Sequence, residues 1–306
     1  MAGEIKLDPT PCAEPVDPTI EVCIVVYDNA ATVGECIASL AHISGRVRVA
    51  VHENNPRSSS VPSARTAAAA IGAGFRAQTC EANCGFATGC NALAKESEAD
   101  YLLFLNPDAN ICAWDATMLE RPGIFGAYLR DTNGTVLHRH GASARSLTDE
   151  FRLRFLRHRP SPPAGFGYVS GAALLIRRDD FSALGGFDER YFMYYEDIDL
   201  CVRAGRSGLP VAASPDFLVE HIGGYSAGRN MGRAFIVSYE SARYFHMKER
   251  HHSVLLEALL AIDAVLRWFW SLFADGAGSA KEAGYRALLR HIALRITKGS
   301  RSTSVG

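Results

Sequence analysis

A chain of 306 residues with formal net charge −1 has no overall basic field of the kind that draws a protein onto nucleic acid. Its 48% hydrophobic and 21% charged content is that of a folded globular protein, long enough for one large α/β domain with an appendage. The first 19 residues, acidic and with four prolines, lack the basic and apolar regions of a secretory signal and read as a flexible leader, and no uncharged run reaches bilayer length.

Residues 20–27, IEVCIVVY, form a continuous β-branched run, which predicts a strand covered on both faces. A helix follows with Val33, Ile37, Leu40 and Ala41 on one side. Residues 46–54 make a second strand, and an alanine-rich helix then ends at Gly72 and Gly74. A short strand, FRAQTC, leads to a third helix entered at Gly85. Residues 101–108, YLLFLNPD, are an apolar strand that stops abruptly in polar residues. Strands alternating with helices predict a mostly parallel sheet, and such sheets bind ligands beyond the carboxyl ends of their strands. The polar residues at those ends are Tyr27 and Asp28, Glu53 and Asn54, and Asn106 and Asp108.

The second half reads differently. Asn133-Gly134 between two apolar runs predicts a hairpin. Residues 138–166, rich in Arg, His and Pro, predict a loop with a short amphipathic helix. YVSGAALLIRR is a further strand, and a helix begins at Glu196 and stops at Gly208.

Four features carry chemistry. Asp108 ends a buried strand in a turn locked by Pro107, so its carboxylate is either a turn cap or a rigid ligand for a divalent cation holding a diphosphate. Glu196, Asp197 and Asp199 crowd three carboxylates at a helix N-terminus, where the macrodipole offsets part of their repulsion. Charge and spacing leave all three open as a general base. His221 follows an apolar run and is either structural or a metal or phosphate ligand. Asn83, Gly85, Phe86, Gly89 and Asn91 form a helix entry whose glycines allow close backbone approach to a ligand, without the spacing of a phosphate or dinucleotide fingerprint. The eight cysteines include no C-x-x-C pair and read as small buried hydrophobes of a reducing compartment. Cys80, Cys84 and Cys90 lack a second pair and a histidine nearby in sequence, so no metal is expected on them.

These segments resemble family 2 glycosyltransferases of the GT-A fold, above all the rhamnosyltransferase-like members that build bacterial surface polysaccharides. The resemblance rests on IVVYDNAATVGECIASL, NCGFATGCNAL, LFLNPDA and SGAALLIRRDDFSALGGFDERYFMYYEDIDLCVRAG, and spans residues 20–250. It implies an α/β GT-A domain with a nucleotide-binding half at 20–110 and an acceptor half at 111–250, followed by a helical appendage at 251–306. It further implies that Tyr27, Asp28 and Glu53 line the nucleoside pocket, with Asn83, Gly85, Phe86, Asn91 and Asn106 on the donor. Gly171 and Ala172 let the donor sugar lie against the strand. Asp108 and His221 hold a Mg or Mn ion, Asp197 is the catalytic base, and Glu196 supports the acceptor. Asp28, Glu53 and Pro56 stand where Asn, Asp and Ser are usual, which leaves thymidine and uridine both open.

The implied reaction is inverting transfer of a sugar, L-rhamnose from dTDP-L-rhamnose, to a saccharide or lipid-linked acceptor, in the cytoplasm or at the cytoplasmic face of the inner membrane. The alternatives are a UDP-hexose or UDP-N-acetylhexosamine donor, or a nucleotide-sugar-binding partner without turnover. At the C-terminus, Glu257, Asp263 and Arg267 share a strip with Ser253 and Ser271, and the rest of residues 254–274 is broadly apolar, including Trp268, Phe269, Trp270 and Phe273. The next helix carries Tyr285, Leu288, Leu289, Ile292 and Ile296 on one stripe, with Arg286, Arg290, Arg295 and Lys298 elsewhere. That pattern fits peripheral contact with an anionic membrane, packing on the catalytic domain, or a homodimer.

Overall fold

The first strand alternates its side chains between two cores. In the computed structural model, which describes residues 17–137, 141–142, 151, 155, 167–222, 230–249 and 253–302, β1 (Thr19–Val26) sends Ile20, Val22, Ile24 and Val26 to one face. Cys23 and Val25 go to the other. Successive strand residues point to opposite sides, so a run apolar at every position is stable only when both sides are covered. On the first face lie α1 (Val33–Ala38), a 3₁₀ turn over Ser39–His42, and α2 (Ser60–Ala70), through Val33, Ile37, Leu40, Ala64 and Ala68. β2 (Arg46–Glu53), β3 (Gly74–Thr79) and β4 (Tyr101–Leu105) complete the parallel series, with α3 (Phe86–Lys95) crossing the second face.

Beyond β4 the sheet is mixed. β5 (Ala109–Ala113), β6 (Ile124–Arg130), β7 (Val136–Leu137), β10 (Ala173–Arg177) and β11 (Val211–His221) extend it in the order β3-β2-β1-β4-β10-β6-β11-β5, with β7 on β6. β10 runs antiparallel to both β4 and β6, and β11 runs parallel to β6 but antiparallel to β5. The hairpin at Asn133-Gly134 joins β6 to β7, held by Asp131 Oδ1, which accepts from the N–H groups of Asn133 and Thr135. β8 (Gly141–Ala142) and β9 (Gly167–Tyr168) form a small separate sheet. The expected loop and helix over 138–166 lie mostly outside the described residues, as does most of the leader. α4 (Arg178–Ala183) and α5 (Glu196–Arg206) cover the second face with Phe181, Leu200 and Ala204.

Among the described residues, three helices follow β11: α6 (Met231–Lys248), α7 (Val254–Ala274) and α8 (Ala280–Ser302). Tyr239, Leu256, Leu260, Ala264, Leu288 and Ile292 form their common core. α6 also ties to the α/β body: Lys248 Nζ lies 2.8 Å from Asp188 and also meets Asp199, and Ser241 Oγ donates to the Met193 carbonyl at 2.9 Å.

α7 packs with its polar side toward the bundle. Its polar strip faces inward: Asp263 and Ser271 are buried, and the neighbouring Trp268 Nε1 donates to Glu282 of α8 at 2.9 Å. Val254, Leu255, Ile262, Val265, Leu266, Phe269, Trp270 and Phe273 are exposed instead. The cause is that Asp263 pairs with Arg267 at 2.8 Å and Glu257 meets Tyr239 and Arg243 of α6, so the polar groups are satisfied against the bundle. On α8, Leu288 and Ile292 are buried as expected, whereas Ile296 is exposed. Among the described residues, no helix is long and apolar enough to cross a membrane.

Candidate active site

The carboxyl ends of β1 and β2 emerge together because Val26 pairs with Glu53 in register. Tyr27 is 41% exposed, an open aromatic ring at this edge. Asp28 has φ +56°, in the left-handed region, and its Oδ1 accepts from Asn55 Nδ2 at 2.7 Å. Glu53 is buried; its Oε1 accepts from the Asn55 N–H at 2.8 Å and its Oε2 has no partner. Burial pushes its carboxyl above the usual range, partly offset by the Asn55 N–H and by Ser58 and Ser60. A buried acceptor oxygen without a donor suits a ligand N–H or O–H.

The turn after β4 places Asp108 at 7% exposure. Nε2 of His221, the last residue of β11, lies 3.3 Å from Asp108 Oδ1 and 3.3 Å from Asn106 Nδ2. Pairing of His221 with Ala109 across β5 and β11 creates this approach. Asp108 and His221, 113 positions apart in the chain and expected to share one metal ion, are thus brought together. The buried Nδ1 of His221 has no partner. One carboxylate and one imidazole fit Mg or Mn, which fill their remaining positions with water and phosphate oxygens.

The Asn106 N–H donates to the Ala172 carbonyl at 2.9 Å, and the Gly171 N–H donates to Asp197 Oδ2 at 2.8 Å. A line of short contacts therefore runs from Asp108 through His221, Asn106, Ala172 and Gly171 to Asp197. A Cβ added to Gly171 would stand 3.4 Å from Asp197 Cβ and 3.7 Å from the Phe86 ring, so Gly171 and Phe86 flank this carboxylate.

The three clustered carboxylates separate by environment. Asp199 turns into the fold, accepting from Arg203 Nε at 2.7 Å and from Lys248. Glu196 is buried, with no partner on Oε2. Burial and the neighbouring Asp197 charge push its carboxyl well above the usual range. Asp197 is half-buried and raised by desolvation, with part of that rise cancelled by the Gly171 and Ile198 N–H groups. Tyr194 and Tyr195, both at φ +70°, precede the helix. Two consecutive non-glycine residues in the left-handed region are strained, and such strain concentrates where geometry serves function.

Other expected donor residues hold the scaffold. Asn83 Oδ1 accepts from the Gly85 N–H at 3.0 Å. Asn91 Nδ2 donates to the Phe187 carbonyl at 2.8 Å, and its Oδ1 accepts from the Phe187 N–H at 2.9 Å, so its amide clamps α3 to the loop before α5. Cys80 and Cys84 correct the sequence reading: both are partly exposed, and His52 Nε2 lies 3.3 Å from Cys84 Sγ. Parallel pairing of His52 with Gln78 brings that histidine to the end of β3, a proximity invisible in local spacing.

No family model matches the chain. It is 31% identical over 179 residues to the N-acetylglucosaminyl-diphospho-decaprenol L-rhamnosyltransferase of Mycobacterium tuberculosis, an alignment covering 50% of this chain and 56% of that protein. It is 27% identical over 156 residues to rhamnosyltransferase WbbL of Escherichia coli K12, covering 46% and 59%. The chain thus spans somewhat over half the length of these curated relatives. A mannosyltransferase from Pyrobaculum calidifontis, solved with GDP-Man and Mn2+, superposes with TM-score 0.51 at 15% identity over 96% of this chain and 91% of that one. The fold is the GT-A fold of glycosyltransferases, and in sequence the chain resembles the rhamnosyltransferase-like members of family 2.

Proposed function

We propose that this chain transfers a sugar, with inversion, from a nucleoside diphosphate donor to a saccharide or lipid-linked acceptor. dTDP-L-rhamnose is the donor that the relatives' names favour. The observation that supports this reading is the line of short contacts from Asp108 and His221 to Asp197, which would put a cation-binding pair at one end and a base at the other. Tyr27 and the free Glu53 Oε2 take the nucleoside. Asp108 and His221 would hold a divalent ion, which would supply positive charge to the leaving diphosphate. Asp197 accepts the proton of the acceptor hydroxyl as its oxygen bonds to the anomeric carbon and the bond to the diphosphate breaks. A panel of nucleotide sugars tests the reading. Transfer or hydrolysis of dTDP-rhamnose above all others is expected. Preference for a UDP-hexose moves the donor assignment, and binding without any turnover overturns the enzyme.

Asp108→Ala separates cation from base. Nucleotide affinity measured with Mn2+ should fall about tenfold or more, the scale of one charged contact. Affinity without metal should stay unchanged. Equal binding with and without Mn2+ in the unsubstituted protein removes Asp108 from the ion.

The charge-free outer face of α7 lies in the bilayer interface in this proposal, keeping the catalytic edge near a lipid-linked acceptor. Its support is the stripe of eight exposed apolar side chains, about five turns long with its three C-terminal members aromatic (Phe269, Trp270 and Phe273 with Val254, Leu255, Ile262, Val265 and Leu266). Phe269→Glu with Trp270→Glu should weaken sedimentation with anionic vesicles about tenfold or more, given about 1.5–3 kcal/mol for each large apolar side chain buried. Undiminished vesicle binding refutes this surface, and a concentration-dependent dimer lost in the same variant reassigns it to a second copy.

A further inference from the structure

We infer that His52, Cys80 and Cys84 form a binding site for a soft divalent metal, with zinc the best fit. One ligand atom from each residue lies within 4.8 Å of the others. The two sulfurs are 3.5 Å apart, and Cys84 Sγ is 3.3 Å from His52 Nε2. A tetrahedral zinc with bonds of about 2.3 Å to sulfur and about 2.0–2.1 Å to nitrogen spaces its ligand atoms about 3.5–3.8 Å apart. Small side-chain adjustments therefore admit the ion.

Three further observations point at the same spot. Asn54 Oδ1 accepts from both thiols at 3.1 Å, so four potential ligand atoms converge. His52 is 5% exposed and fixed on a central strand, with Nε2 the atom turned to the sulfurs. Cys80 and Cys84 are partly exposed, which leaves the ion a way in. The donor set is soft sulfur with imidazole, distinct from the carboxylate and imidazole at Asp108 and His221, so the two sites would take different metals.

A disulfide uses the same two sulfurs but leaves the histidine without a role. Zinc binding forms two Zn–S bonds and one Zn–N bond, and each thiol releases its proton to solvent.

The ion would stiffen a particular loop. Asn54 Nδ2 donates to the Gly85 carbonyl at 3.1 Å, and the Cys80 N–H donates to the Glu53 carbonyl at 3.2 Å. Zinc would thus brace the stretch from Cys80 to Gly85 against the strand end that carries Glu53. That consequence rests on the donor pocket proposed above, whereas metal binding itself does not.

The test uses the full chain, purified reduced and metal-free, without nucleotide. Zinc titration with elemental analysis should give one equivalent, and Co2+ should give the thiolate charge-transfer absorption of a sulfur-ligated ion. Cys84→Ser, and separately Cys80→Ser, should abolish the cobalt band, and His52→Ala should weaken zinc binding about tenfold or more. Zinc should raise the unfolding midpoint of the unsubstituted chain and leave that of Cys84→Ser unmoved. No bound zinc in the folded, reduced chain overturns the site. So does a Cys80–Cys84 disulfide found by intact mass in protein isolated without added oxidant and without metal.

Discussion

Asp197→Asn should lower turnover by about two to four powers of ten while leaving donor binding nearly intact, the range a positioned general base supplies. The substitution removes the proton acceptor and also disturbs its anchoring. Asp197 accepts two N–H bonds, from Gly171 and Ile198, each at 2.8 Å, and an amide can accept only one of them without turning its own NH2 toward the other. Asp197→Ala therefore belongs in the same series, since it loses the base without that conflict. Glu196→Gln should behave oppositely. Burial and the Asp197 charge favour the protonated form of Glu196, which a neutral amide resembles, so turnover should change far less than in Asp197→Asn. The folded chain binds this proton more tightly than the unfolded one, so the Glu196 contribution to stability is present at low pH and falls as pH rises above the ordinary carboxylate range. Glu196→Gln should flatten that decline. Because Asp197 is itself raised, kcat/KM should fall with acid at a pH above the ordinary aspartate value of about 3.9. Full turnover in Asp197→Asn, or loss of it in Glu196→Gln, would exchange the two roles.

The parallel half of the fold was legible because its signals are local. β1 is apolar from Val22 to Val26, and each strand end turns polar at once, so the ligand edge could be placed by strand order alone. What distinguishes Asp197 from Asp199 is not local. Asp199 is withdrawn from the site by Lys248, which comes from α6, 49 positions later. His221 meets Asp108 only because β11 pairs with β5, and β5 is a five-residue strand directly behind a turn, too short to announce itself. His52 reaches Cys84 through the pairing of β2 with β3, so a count of cysteine spacings could not find it. In α7 the sequence left the orientation open, because a narrow polar strip on an apolar helix does not say which side is covered. α6 and α8 offer partners for those polar groups, and satisfying them leaves the apolar side exposed.

Gly85→Ala should destabilise the chain by about 3 kcal/mol or more and disable donor binding with it. Gly85 has φ +91° and ψ 176°, a region essentially closed to side-chain-bearing residues. A Cβ there would also stand 2.4 Å from the Phe192 carbonyl oxygen and 3.0 Å from its ring. That carbonyl accepts from the Phe86 N–H at 2.7 Å, so it cannot retreat without breaking the bond that joins the entry of α3 to the strained Tyr194-Tyr195 turn. Gly72→Ala is the control: its φ is +69°, but an added Cβ meets nothing within 4 Å. Gly72→Ala should therefore show backbone strain alone, on the order of 1 kcal/mol, a shift of about 2–4 °C in midpoint. Gly85→Ala should shift it about three times as far. Its nucleotide affinity should fall at temperatures where the chain is still folded, because the collision pushes the loop bearing Asn83 and Phe86 away from Phe192. Equal midpoints for the two variants would mean that the loop yields freely, and the close approach at Gly85 would then not be what joins the nucleotide edge to the helix of Asp197.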